Sequence, residues 1–121
     1  MSGKKTVLIC DDSITSRKRL KKTIISKGNY AVFEAENGQK AVDLYKSEMP
    51  NLVFMDIVMP VKDGLQATKE IRDFDEKAKI VILSSVGTKE NLKEALTHGA
   101  MDFIQKPWDE DHIESMLRKL I

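Results

Sequence analysis

The chain has 121 residues, 20 basic and 19 acidic, with a formal net charge of +1. That length supports one small domain spanning 1–121 and no second one, and the charge balance gives no overall field toward nucleic acid or an anionic membrane. The apolar runs are far too short to span a bilayer, Met1-Ser2-Gly3-Lys4-Lys5 is too polar for a signal peptide, and the lone Cys10 excludes an internal disulfide, so the reading is a soluble, cytoplasmic monomer with no nucleic-acid partner and no membrane insertion.

Val7-Leu8-Ile9-Cys10 reads as a first buried strand, closed by Asp11 and Asp12. Ser13 then caps a helix whose Leu20, Ile24 and Ile25 face inward and which Gly28 can end. Its outer face is basic, with Arg17, Lys18, Arg19, Lys21 and Lys22. Near-zero net charge makes that face a solvated one, or a dock for an acidic kinase surface, rather than a DNA contact. A second strand, Tyr30 to Ala35, leads to Asn37, which caps a helix with Ala41, Leu44 and Tyr45 at helical spacing. Pro50 separates that helix from Leu52-Val53-Phe54-Met55, a third strand that stops at Asp56. Met59 to Gly64 has turn chemistry, and a helix with Ala67, Ile71 and Phe74 inward follows. Ile80 to Leu83 makes a fourth strand that stops at Ser84, and Thr88 to Thr97 a fourth helix with Leu92, Ala95 and Leu96 inward and Gly99 past its end. Phe103-Ile104-Gln105 makes the last strand, stopping at Lys106-Pro107. Asp109 caps a fifth helix carrying Ile113, Met116, Leu117 and Leu120. Five βα units with right-handed crossovers give a doubly wound parallel sheet with helices on both faces.

In such sheets ligands bind beyond the carboxyl ends of the strands, where Asp11, Asp12, Asp56, Ser84 and Lys106 all fall. Three crowded carboxylates repel one another, and Lys106 answers only one unit of that charge. A hard divalent ion with oxygen ligands answers the rest, Mg²⁺ or alternatively Mn²⁺. Zinc fits poorly, since neither His98 nor His112 lies near a strand end and one cysteine builds no thiolate site. Asp11 and Asp12 point different ways from one strand end, as two metal ligands would, and Asp56 stands alone as the better nucleophile toward phosphorus. Ser84 and Lys106 can stabilise a phosphoryl oxygen. Each group alone has a bland reading, an Asp as helix cap or turn residue, Phe103 as a core aromatic, Cys10 as a small buried hydrophobe. It is their conjunction at four strand ends that carries chemistry. A phosphohydrolase with Asp56 as nucleophile lacks the general acid that such enzymes place two residues on, where Val58 stands. A flavin phosphate would be repelled by Asp11 and Asp12.

The motifs Asp11-Asp12-Ser13, Met55 to Pro60 with Asp63-Gly64, Leu83-Ser84-Ser85, His98-Gly99-Ala100 and Phe103 to Pro107 resemble the receiver domain of two-component response regulators, nearest to the CheY-like stand-alone chemotaxis type, over essentially the whole chain. The resemblance implies that Asp56 accepts a phosphoryl group from a histidine kinase. Asp12, Asp56 and the Val58 backbone carbonyl would bind Mg²⁺ with Asp11 acting through water, and Lys106 would hold a phosphoryl oxygen. It further implies a cis Lys106-Pro107 bond and a switch in which Ser84 and Phe103 move together. A protein target would read the surface of the fourth helix, fifth strand and fifth helix, and a phosphatase would be a further partner. Such a protein catalyses only its own phosphorylation and dephosphorylation. Val58 and Val86 stand where many members carry polar groups that act on the attacking water, which implies slow self-hydrolysis. A phosphorelay intermediate, an excised receiver of a transcriptional regulator and a phosphorylation-independent scaffold are the alternatives.

Overall fold

The computed structural model describes residues 4–121; Met1, Ser2 and Gly3 of the polar N-terminal stretch lie outside the described residues. The elements alternate as β1 (Lys5–Cys10), α1 (Ile14–Ser26), β2 (Tyr30–Ala35), α2 (Gly38–Glu48), β3 (Leu52–Met55), α3 (Gly64–Phe74), β4 (Ile80–Ser84), α4 (Lys89–Thr97), β5 (Asp102–Gln105) and α5 (Glu110–Leu120). All strand pairs are parallel, in the order β2-β1-β3-β4-β5. The expected doubly wound sheet is therefore present, and its order reverses between β1 and β3.

Alternation of side chains along buried strands divides the core in two. Leu8, Cys10, Val53, Met55, Ile80 and Ile82 face α2, α3 and α4, where Ala41, Val42, Tyr45, Leu65, Ala67, Ile71 and Ala95 meet them. Val7, Ile9, Leu52, Phe54, Val81, Leu83 and Ile104 face α1 and α5 and pack on Leu20, Ile24, Ile113, Met116 and Leu117. Each helix begins at a side-chain cap, Ser13, Asn37, Asp63, Thr88 and Asp109, accepting from a backbone N–H three residues on. Among the described residues no helix is long and apolar enough to cross a membrane.

Some inward assignments need correction. Ile25, Phe74, Leu92 and Leu96 are exposed. α4 buries only Ala95, and that small side chain lets the helix lie close to the sheet while its leucines stand at the flanks. Gly28 does not form the left-handed stop, since α1 closes on Lys27 in right-handed geometry. Among the described residues the left-handed positions are Met49 at the end of α2 and Gly99 beyond α4, with Val61 in the β3–α3 loop.

Candidate functional site

The β1–β3 register pairs Cys10 with Met55, so the residues that follow them leave the sheet side by side. The ladder runs one step further, Asp56 N donating to the Cys10 carbonyl at 2.9 Å and Asp11 N to the Ala35 carbonyl at 3.1 Å. This places Asp11, Asp12 and Asp56 at the point where strand order reverses, with one carboxylate oxygen from each lying within 4.8 Å of the others. Asp11 is buried, Asp56 half-buried and Asp12 exposed.

Lys106 comes to this cluster from the far side of the sheet. Its backbone N donates to the Ser84 carbonyl at 2.9 Å, and the Lys106-Pro107 bond is cis. Its Nζ reaches Asp11 Oδ2 at 2.8 Å and Asp56 Oδ2 at 3.3 Å. Asp56 Oδ1 accepts from Ile57 N at 2.7 Å, and Asp11 Oδ1 from Ser13 N at 2.9 Å. Burial pushes the Asp56 pKa up, Lys106 opposes the shift and Asp11 adds to it. Burial also disfavours the Lys106 charge, but Asp11 and Asp56 outweigh it and hold that pKa above the usual lysine value. One lysine thus leaves the cluster with surplus negative charge.

Ser84 is fully buried at the end of β4, its Oγ accepting from Val86 N at 3.2 Å. Asn91 holds that β4–α4 loop by donating to the Val86 carbonyl at 2.8 Å. On the other flank the β3–α3 loop carries Val58, 62% exposed. From Asp11 and Lys106 a cleft of about 270 Å³ extends between Leu20, Leu83, Pro107 and Trp108. Arg19 also lines it, its guanidinium carbon standing 4.8 Å from the Trp108 ring centroid.

The model for the response regulator receiver domain matches residues 7–118. The chain belongs to the response regulator receiver family. The chemotaxis protein CheY of Bacillus subtilis (strain 168) is 40% identical over 115 residues, 95% of this chain and 96% of that protein. CheY of Halobacterium salinarum is 43% identical over 109 residues, 90% of each. Among solved structures, a chain of the CheX-CheY-BeF3-Mg²⁺ complex from Borrelia burgdorferi superposes with a TM-score of 0.89 at 31% identity, covering 97% of this chain and 90% of its own.

In this receiver the structure brings together Asp11, Asp12, Asp56 and Lys106 of the set singled out from the sequence, while the Ser84 hydroxyl is engaged with Val86 N rather than with the acids. Phe103, on β5, is partly buried against the α2–α3–α4 core. Trp108 packs instead on the α1–α5 core. Burial, then the Asp11 charge, drive the Cys10 thiol far up, in keeping with a small buried hydrophobe. Arg17 escaped sequence reasoning. Far from being one more solvated cation, it donates from Nη1 to the Asp11 carbonyl at 2.7 Å and from Nε to Glu34 Oε1 at 3.1 Å, bracing the loop that carries two of the acids. Gly64 was legible only as a turn residue. A Cβ there would lie 1.7 Å from the Asp56 carbonyl oxygen, so only glycine lets α3 start beneath the acid.

Proposed function

We propose that this receiver is a cytoplasmic, phosphorylation-activated switch of a two-component system, in chemotaxis or motility. The observation that carries the reading is Lys106 Nζ between Asp11 and Asp56 beside a third acid. An Asp56 carboxylate oxygen attacks the phosphorus of a phosphohistidine, the P–N bond breaks, and the imidazole leaves with its electron pair. Lys106 moves its donated hydrogen bonds to a phosphoryl oxygen, and the Ser84 hydroxyl, released from Val86 N, donates to another. Asp11, Asp12, Asp56 and the Val58 carbonyl offer the hard oxygens that suit Mg²⁺, with Mn²⁺ a weaker alternative. When bound, that ion supplies charge neutralisation and alignment of the phosphoryl oxygens.

The kinase approaches over α1 and the Trp108 cleft, where Lys18, Arg19 and Lys22 are exposed. Output passes to a protein target through α4, β5 and α5, where Leu92, Leu96 and Met101 are exposed. Two valines beside the site cannot orient water, which favours a long-lived phosphoryl group and leaves room for a phosphatase partner. The CheY relatives favour chemotaxis over a phosphorelay. The test is addition of beryllofluoride, a phosphoryl mimic, with Mg²⁺ to ¹⁵N-labelled protein. Amide shifts at Ser84, Phe103, Leu96 and Met101, absent from Asp56→Asn, are expected. Shifts confined to Asp11, Asp12 and Ile57 would contradict a switch that reaches the output face.

A further inference from the structure

At the opposite edge of the sheet, by the N-terminal ends of the strands, lies an open basin of about 590 Å³. Its lining includes Lys5 at the start of β1, Lys77 and Lys79 before β4, and Arg118 and Lys119 in the last turn of α5. Cations from three separate segments converge there. Among the described residues the negative groups of the lining are the Asp75 side chain and the main-chain carboxylate of Ile121, and Asp75 is already engaged, Oδ2 accepting from the Tyr45 hydroxyl at 2.7 Å and Oδ1 from Lys77 N at 3.0 Å. Arg118 pairs with Glu114 at 2.8 Å, and Lys79 Nζ donates to the Leu120 carbonyl at 2.6 Å. Lys5, Lys77 and Lys119 form no salt bridge among the described residues. In a chain whose net charge is only +1, that is a local surplus of positive charge within one concavity.

We propose that this basin binds a small polyphosphate anion, a di- or triphosphate, independently of the Asp56 site. The converging cations suit a compact anion, whereas a nucleic-acid strand calls for a stripe that tracks its backbone. Tyr45 is buried and its hydroxyl is committed to Asp75, so no aromatic face is offered for stacking a base. The phosphates carry the recognition, through charge-assisted hydrogen bonds from the lysines, and the attached group is not selected.

Calorimetric titration with inorganic triphosphate, at low ionic strength and in a chelator so that no metal recruits phosphate to the acid cluster, tests this. One saturable site is expected, weakened by about tenfold or more in Lys77→Gln/Lys119→Gln. It should be unchanged in Asp56→Asn and in Lys18→Gln/Lys22→Gln, which removes the same charge from α1. ATP should bind about as well as triphosphate. Absence of saturation at millimolar anion, equal weakening by the α1 pair, or binding of ATP without triphosphate would each overturn the proposal. Because the basin variants keep Asp56, Asp11 and Lys106, phosphoryl uptake by them stands or falls separately.

Discussion

The transfer proposed for Asp56 requires its charged form, yet its burial and the nearness of Asp11 both work against that charge, with Lys106 as partial counterweight. Since its folded pKa lies above the unfolded value, Asp56 favours the fold below the ordinary aspartate range and loses that contribution as pH rises through the raised value. At neutral pH the ionised side chain is therefore a liability that the amide isostere lacks. Asp56→Asn should raise the melting temperature by several degrees at pH 7 without metal, and the gain should shrink as pH falls toward the ordinary aspartate range. Mg²⁺ should narrow the gap by stabilising the parent more than the variant. Differential scanning fluorimetry at several pH values, with and without Mg²⁺, checks both; a variant less stable than the parent at pH 7 would contradict this electrostatic account. The acids were legible in the sequence because each directly follows an apolar run, so a strand assignment alone fixes where it emerges. Arg17 and Gly64 were not. Their roles depend on which backbone oxygen lies beside them, the Asp11 carbonyl for one and the Asp56 carbonyl for the other, and neighbours distant in the chain leave no mark on local pattern.

At the scale of elements, α2 and α3 are pinned together where they end. Tyr45, buried near the end of α2, donates its hydroxyl to Asp75, the residue that closes α3, and its ring meets Phe74 edge-on at 6.4 Å. The Tyr45 hydrogen bond, then the Lys77 N–H, hold the Asp75 carboxyl below its usual range. A depressed carboxyl stabilises the fold above its unfolded pKa and loses that contribution as pH falls through the folded one. Tyr45→Phe should therefore cost about 1 kcal/mol at pH 7, and the cost should shrink in acid below the range where Asp75 titrates, where a neutral carboxyl accepts a weaker bond. Urea unfolding at the two pH values measures it; a cost that does not change with pH would contradict a bond to the ionised Asp75, and no cost at pH 7 would show that the ring, which Phe retains, rather than the hydroxyl matters. Element order and the N-caps Ser13, Asn37 and Asp109 were readable from the sequence, because apolar periodicity and capping chemistry are local, whereas Asp63 read only as a turn residue and Thr88 as the start of its helix rather than its cap. The faces of α4 were not. Leu92, Ala95 and Leu96 share one helical side, and only the sheet below decides that the alanine goes in and the leucines stay at the edge. Those exposed leucines lie on the surface assigned here to output.

For the whole molecule, one reversal of strand order does the arranging. It brings the ends of β1 and β3 together, while the step outward to β4 and β5 delivers Ser84 and Lys106 to the same rim. Two chemistries are thereby separated by the length of the sheet, surplus acid at the carboxyl ends and surplus base at the amino ends. The central claim is that the acidic rim takes a phosphoryl group on Asp56. Intact mass of the protein after incubation with acetyl phosphate, with and without Mg²⁺ and beside Asp56→Asn, tests it most directly. The account predicts a single phosphoryl adduct that requires the metal and is missing from the variant. An adduct that persists in Asp56→Asn, or none in the folded parent with Mg²⁺ present, would contradict it.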